Sequence, residues 1–270
     1  MLMEVRYDNS MISVSEIGSH LDSLMLDGTD ILMRSYDDIP THFGSAFLFP
    51  YANRIRNAKY VIDGIEYNLP KNEGNNSIHG LLLNRSFAIA HMDDNSVEME
   101  TDIQGGSEYP SHVNVKIRHT ITGKSYKCEV NVINDGNTRC PVAAGFHPYF
   151  LYENRWEIED PKTVWKMEYE GYFPTGKMQK MILEADSYKN TFDNQFFADS
   201  DILLNTGKRR IRISKHNMPF FVIYNGKYAA GRSVAIEPMM SAVDAFNNGI
   251  GLRLVNPGDS ISFGYSITLV

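Results

Sequence analysis

HVNVKIRHTITGKSYKCEVNV, residues 112–132, decides the fold class. Val113, Val115 and Ile117 alternate with polar residues, and so do Tyr126, Cys128, Val130 and Val132. A period of two sends one face of each segment to a core and the other to water, as in β-strands. Thr122-Gly123-Lys124 sits between the two runs and supplies turn chemistry, so the stretch predicts an antiparallel hairpin.

The same signature recurs outward from this hairpin. Val97, Met99, Thr101 and Ile103 alternate upstream, and Ile261, Phe263, Tyr265, Ile267 and Leu269 do so near residue 270. Asp63-Gly64 lies between YVI and IEY and predicts a two-residue hairpin turn. Asn134-Asp135-Gly136-Asn137 and Asn256-Pro257-Gly258-Asp259 are expected to close further hairpins, and Lys208-Arg209-Arg210 reads as a solvated hairpin tip. Residues 186–200 read as a loop or a short helical turn. No long segment has a 3.6-residue period and no repeat of 20–50 residues is evident, which argues against helical, propeller and solenoid folds. Turn signals are spread evenly, without a linker or a shift in composition. The expectation is an all-β protein, residues 1–270 forming a single large antiparallel β-sandwich.

Bulk properties narrow the partners. The chain has 270 residues, 43% of them hydrophobic, with a formal net charge of −7 and a pI near 5.6. An acidic surface is poorly suited to a phosphate backbone, so no nucleic acid partner is expected. No run approaches the roughly 18 apolar residues of a membrane helix, and residues 1–10 lack a signal-peptide pattern. Cys128 and Cys140, the two cysteines, are too few for a disulfide framework and lack metal-ligand spacing. They are expected as free thiols in a cytoplasmic protein, with no metal and no cofactor.

Four stretches place polar groups where the pattern calls for apolar ones: LFPYANRI (48–55), NNSIHG (75–80), GFHPYF (145–150) and VAIEPMMSAVDAFNNG (234–249). Glu237 follows the apolar run Val234-Ala235-Ile236. It is either a strand-end glutamate in water or a general base at a cleft, tuned by partial burial. His147 precedes Pro148, which biases it to an extended conformation and so fixes the imidazole's direction. Tyr149 and Phe150 offer flat apolar surface to a core or to a sugar ring. His79 precedes Gly80, where a backbone could approach a ligand closely. Arg54, after Asn53, has fixed donors that fit vicinal hydroxyls or a surface ion pair.

In this order the stretches resemble the aldose 1-epimerases, or galactose mutarotases. The resemblance rests on Asn53-Arg54-Ile55, Ile78-His79-Gly80, His147-Pro148-Tyr149-Phe150, Glu237-Pro238 and the late Pro257-Gly258 turn, and runs from about Gly18 to Val270. Ala58 stands where the family often has glycine. The resemblance implies a galactose mutarotase-like β-supersandwich with a sugar in an open cleft. It implies interconversion of α and β anomers of a free aldose of the glucose or galactose type, without cofactor or metal. By the same carry-over Glu237 is the general base and His147 the general acid. Arg54, His79, Asn53 and, by a looser match in TFDNQFF, Asp193 bind the sugar.

Carboxylate and imidazole suit this chemistry, because ring opening takes a proton from O1 and gives one to O5. Three rivals are open to the sequence. A hexose-6-phosphate 1-epimerase needs a cationic cluster, for which Arg54 and Arg232 are candidates. A glycoside hydrolase would use Glu237 with Asp193. A non-catalytic sugar-binding protein would not need both His147 and Glu237. The expected partner is a small monosaccharide, with no membrane, and a monomer or homodimer as the assembly.

Overall fold

The structure, a computed structural model, is described for residues 1–35, 39–229 and 231–270. Among these residues two large antiparallel sheets dominate, one of eleven strands and one of eight. The hairpin that decides the fold class pairs Val113–Ile121 with Ser125–Asn134, joining Ile121 to Tyr126 across the turn. Its inward residues Val113, Val115, Ile117, Tyr126, Cys128, Val130 and Val132 are all buried. The strand Ser260–Leu269 adds to its far side. Both cysteines are free and buried. The chain is therefore all-β, as the alternation predicts.

Several local readings hold. Asp63-Gly64 closes the hairpin of Lys59–Ile62 with Ile65–Asn68. Residues 206–209 turn between Ile202–Asn205 and Arg210–His216. Two further turns do not close hairpins. After Asn134 the chain enters Cys140–Val142, which pairs with Arg253–Val255, the strand before the 256–259 turn. The two turns dock on each other instead: Asn134 N–H donates to Asp259 O, and Gly258 N–H donates to Asn134 O. Asn134 is fully buried and completes the junction with side-chain bonds to the Thr138 and Val255 carbonyls. Residues 186–200 also depart from expectation. They contain one 3-10 turn, Ser187–Lys189, and then a true strand, Asp193–Phe197. That strand has little period-two contrast because Phe196 enters the core while Asn194 and Phe197 are half-buried.

The eleven-stranded sheet positions the site. From its middle to one edge it runs Ser45–Leu48, Gly145–Leu151, Ser233–Met239, Phe220–Tyr224, Asp193–Phe197, Thr163–Glu170 and Phe173–Ile182. On the inter-sheet side Phe146, Phe150, Val234 and Ile236 join the main hydrophobic cluster. On the other side the same two strands present His147, Tyr149 and Glu237. Phe150 is thus core, and Tyr149 alone of the two aromatics faces outward. Glu237 lies inside its strand rather than at the end, with Pro238 and Met239 continuing it.

Candidate active site

The register explains why His147 and Glu237 meet. Gly145 pairs with Met239 and Tyr149 with Ala235, the same register on both sides of a gap. Continuing it through the gap sets His147 directly opposite Glu237. Met240 N–H donates to Ala144 O across this ladder, while Tyr149 N–H points the other way, to Gly44 O. By alternation the nitrogens of Pro148 and Pro238 both face this ladder, and neither carries a proton. The two prolines thin the ladder at one place. His147 and Glu237 there form a non-hydrogen-bonded pair, the arrangement that brings cross-strand side chains closest.

Nε2 of His147 lies 3.4 Å from Oε1 of Glu237. The two residues are 7% and 2% exposed, at the floor of a cleft of about 490 Å³. The His79 ring meets His147 edge-on, with centroids 5.8 Å apart. Tyr149 stacks on His147 at 4.8 Å and Tyr224 lies edge-on at 6.4 Å. The inner atoms Nδ1 of His79, Nδ1 of His147 and Oε2 of Glu237 are buried without a hydrogen-bond partner among the described residues. Such groups are costly in a core and typical of a polar ligand site.

Burial sets the protonation. It pushes the Glu237 carboxyl well above its ordinary range, and the charge of Asp193 adds to this. It pushes His147 down to about 3, with His79 contributing, and His79 down to about 3, with Arg54 contributing. Burial thus favours a neutral carboxylic acid beside a neutral imidazole. Moving one proton from Glu237 to His147 gives the ion pair, with the same total charge.

Loops supply the rim. Arg54–Ile55 pairs with Ser77–Ile78, so the Asn-Arg-Ile and Ile-His-Gly stretches form one small ribbon. His79 N–H donates to Asn53 O at 3.0 Å. His79 holds a left-handed backbone, φ 65°. Gly80 follows at φ 82°, and a Cβ there would lie 2.1 Å from Phe49 O. The close approach that Gly80 allows is thus to the neighbouring backbone, not to a ligand. Asn53, φ 58°, lines the cleft, and its Oδ1 accepts from Arg54 N–H at 2.9 Å and Nη1 at 3.3 Å. Asp193, exposed at the start of its strand, lines the cleft as well.

Of the two readings open for Arg54 the ion pair is the one formed, though half-buried rather than on the surface: it forks onto Glu73, with Nε 2.8 and 2.9 Å from its two carboxylate oxygens and Nη2 at 2.5 Å. Arg232, the second cationic candidate, is exposed and does not line the cleft. Sequence reasoning also missed Glu73, His42, Tyr224 and Tyr228, all of which line it. His42 and Tyr228 stack at 4.5 Å from two separate loops. Only contact across the fold reveals these residues, since none stands in a motif.

Comparison with known proteins agrees with the fold. The Escherichia coli K12 protein YihR is 23% identical over 268 residues, covering 91% of this chain and 86% of its own. A galactose mutarotase-like protein from Clostridium acetobutylicum superposes with a TM-score of 0.87 at 19% identity, over 100% of this chain and 95% of that one. A GalM/aldose epimerase homologue from C. elegans gives 0.82 at 18%, over 100% and 98%. The sequence model of the family described as aldose 1-epimerase matches residues 1–268, and on that match this chain belongs to the aldose 1-epimerase family.

Proposed function

We propose that this protein is an aldose 1-epimerase of a free, uncharged aldose of the glucose or galactose type, with Glu237 as general base and His147 as general acid. The observation that carries the reading is the 3.4 Å approach of His147 to Glu237 at the cleft floor. O1 and O5 of a pyranose are both attached to C1, so the groups that serve them must converge on one carbon. A cross-strand pair does so.

The steps balance without a cofactor. In the closed-ring complex Glu237 is a carboxylate and His147 an imidazolium. Glu237 takes the O1 proton, the C1–O5 bond breaks toward O5, and His147 protonates O5. The open aldehyde then faces a neutral acid and a neutral imidazole, the state that burial favours. Rotation about C1–C2 and reversal of both transfers close the ring on the other face. Sugar hydroxyls at the cleft floor supply the hydrogen bonds that the ionised pair requires. His79, Asn53, Arg54 and Asp193 bind the remaining hydroxyls, and Tyr149 offers a flat face to the ring's C–H groups.

Residues 1–270 act as one domain, in the cytoplasm, as a monomer or homodimer, without nucleic acid or membrane. No helix among the described residues is long and apolar enough to cross a bilayer. Polarimetry on freshly dissolved α-D-glucose and α-D-galactose tests the reading. Acceleration by the wild type and its loss in Glu237→Gln are expected. No acceleration of either sugar by folded protein would overturn it.

A further inference from the structure

The cleft contains an ion pair that the proton transfer does not use. Among the described lining residues Arg54 is the only lysine or arginine, and its Nε and Nη2 are given to Glu73. Its Nη1 reaches Asn53, and the ring of Tyr172 covers one face at 4.5 Å. Glu73 is firmly placed. Glu73 and Asn76 exchange backbone hydrogen bonds across their turn. Asn72 clamps Ile78 by bonds to both its N–H and its carbonyl. Hydrogen bonds from Arg54 hold the Glu73 carboxyl below its usual range, so the pair is ionised at neutral pH. Asp193 adds a further exposed carboxylate to the same cleft.

We propose that Glu73 determines substrate specificity: by engaging Arg54 it fits the cleft to an uncharged sugar and rejects sugars that carry a phosphate, sulfonate or carboxylate. This rests on the epimerase reading above. An oxyanion binds arginine through two parallel N–H bonds. Here that edge is occupied, so an anionic sugar must displace Glu73 and leave its carboxylate close by, unpaired. A neutral diol has no such conflict. One hydroxyl accepts from a remaining guanidinium N–H and its neighbour donates to Glu73, so the pair serves as donor and acceptor together.

The test compares kcat/KM for mutarotation of D-glucose, D-glucose 6-phosphate and D-glucuronate by wild type, Glu73→Gln and Glu73→Ala, with melting curves to establish folding. The anionic-to-neutral ratio should rise roughly tenfold or more in both variants, the worth of one charge-assisted hydrogen bond. The gain should sit in KM and shrink at high salt. An unchanged ratio, or a wild type as fast on the anionic sugars as on glucose, overturns the proposal. If no sugar is accelerated by any of the proteins, the epimerase reading fails. The role of Glu73 is then decided by NMR titration of the same three sugars, where an unchanged ratio of affinities overturns it.

Discussion

His147 and Glu237 are opposite members of one rung, on two adjacent central strands that bury almost everything they carry. The ladder retains Tyr149 against Ala235 and Gly145 against Met239 to either side. Pro148 and Pro238 withhold donors in between, so the pair stands at the least bonded place in a central ladder. Removing the imidazole should leave this frame intact. His147→Asn is expected to fold and to lose roughly 10²–10⁴-fold in kcat, the usual worth of one positioned acid. Unchanged turnover in the folded variant, followed by polarimetry, would remove His147 from the mechanism.

Glu237→Gln separates chemistry from stability. Its carboxyl is raised above the ordinary value near 4.5 in the folded protein. The stability it contributes is present below that pH and is lost as pH rises through the folded value, because the unfolded chain ionises first. The amide has no such penalty. The variant should therefore be inactive yet gain in melting temperature over wild type as pH rises above the ordinary carboxylate value of 4.5. A variant less stable than wild type throughout that range would contradict the buried, neutral carboxyl.

Acid should act in the opposite sense. His79, His119 and His147 are lowered to about 3 and His20 to about 4, each chiefly by burial. Folded pKa values below the unfolded 6.5 give stability that is full above 6.5 and lost as pH falls toward the folded values. Urea midpoints should drop steeply from pH 6.5 to pH 4, at up to about 1.4 kcal/mol per histidine per pH unit. His119 lies away from the cleft, bonded to Ser19 and Tyr126, so His119→Gln should flatten this slope without altering substrate selectivity.

Gly80→Ala tests the loop that carries His79. The new Cβ would meet Phe49 O at 2.1 Å, at a φ of 82°. Roughly 1–3 kcal/mol of destabilisation is expected from the backbone conformation alone, and activity should fall as His79 is displaced. A variant with wild-type melting and turnover would show that this segment moves freely.

Strand pattern made most of the sheets legible, because alternation and burial are the same physical fact. Val113 to Val132 illustrates it. The failures share a cause. Asn134-Asp135-Gly136-Asn137 has hairpin chemistry, yet turn residues state only that the chain reverses, not what the next strand pairs with. Asp193–Phe197 lies where both faces carry burial, so the period faded. In the site, the residues legible in sequence were those in motifs. Ala58 has a positive φ of 53°, a conformation that suits the glycine the family resemblance implies there. The partner of Arg54 was not legible, because a carboxylate 19 residues away becomes its neighbour only when the ribbon Arg54–Ile55 with Ser77–Ile78 forms.

That ribbon divides the cleft into parts of different mechanical character. The proposed proton donor and acceptor ride on strands whose register cannot slip by one residue without turning both side chains into the core. Of the groups proposed to choose the sugar, Asn53, Arg54, Glu73 and His79 ride on short ribbons and loops, which can be exchanged without touching the sheet. On the proposed reading, reactivity and selectivity are inherited separately: a chain of this design would acquire a new substrate by rewriting the 71–80 segment and carry the proposed proton relay into the new enzyme unaltered.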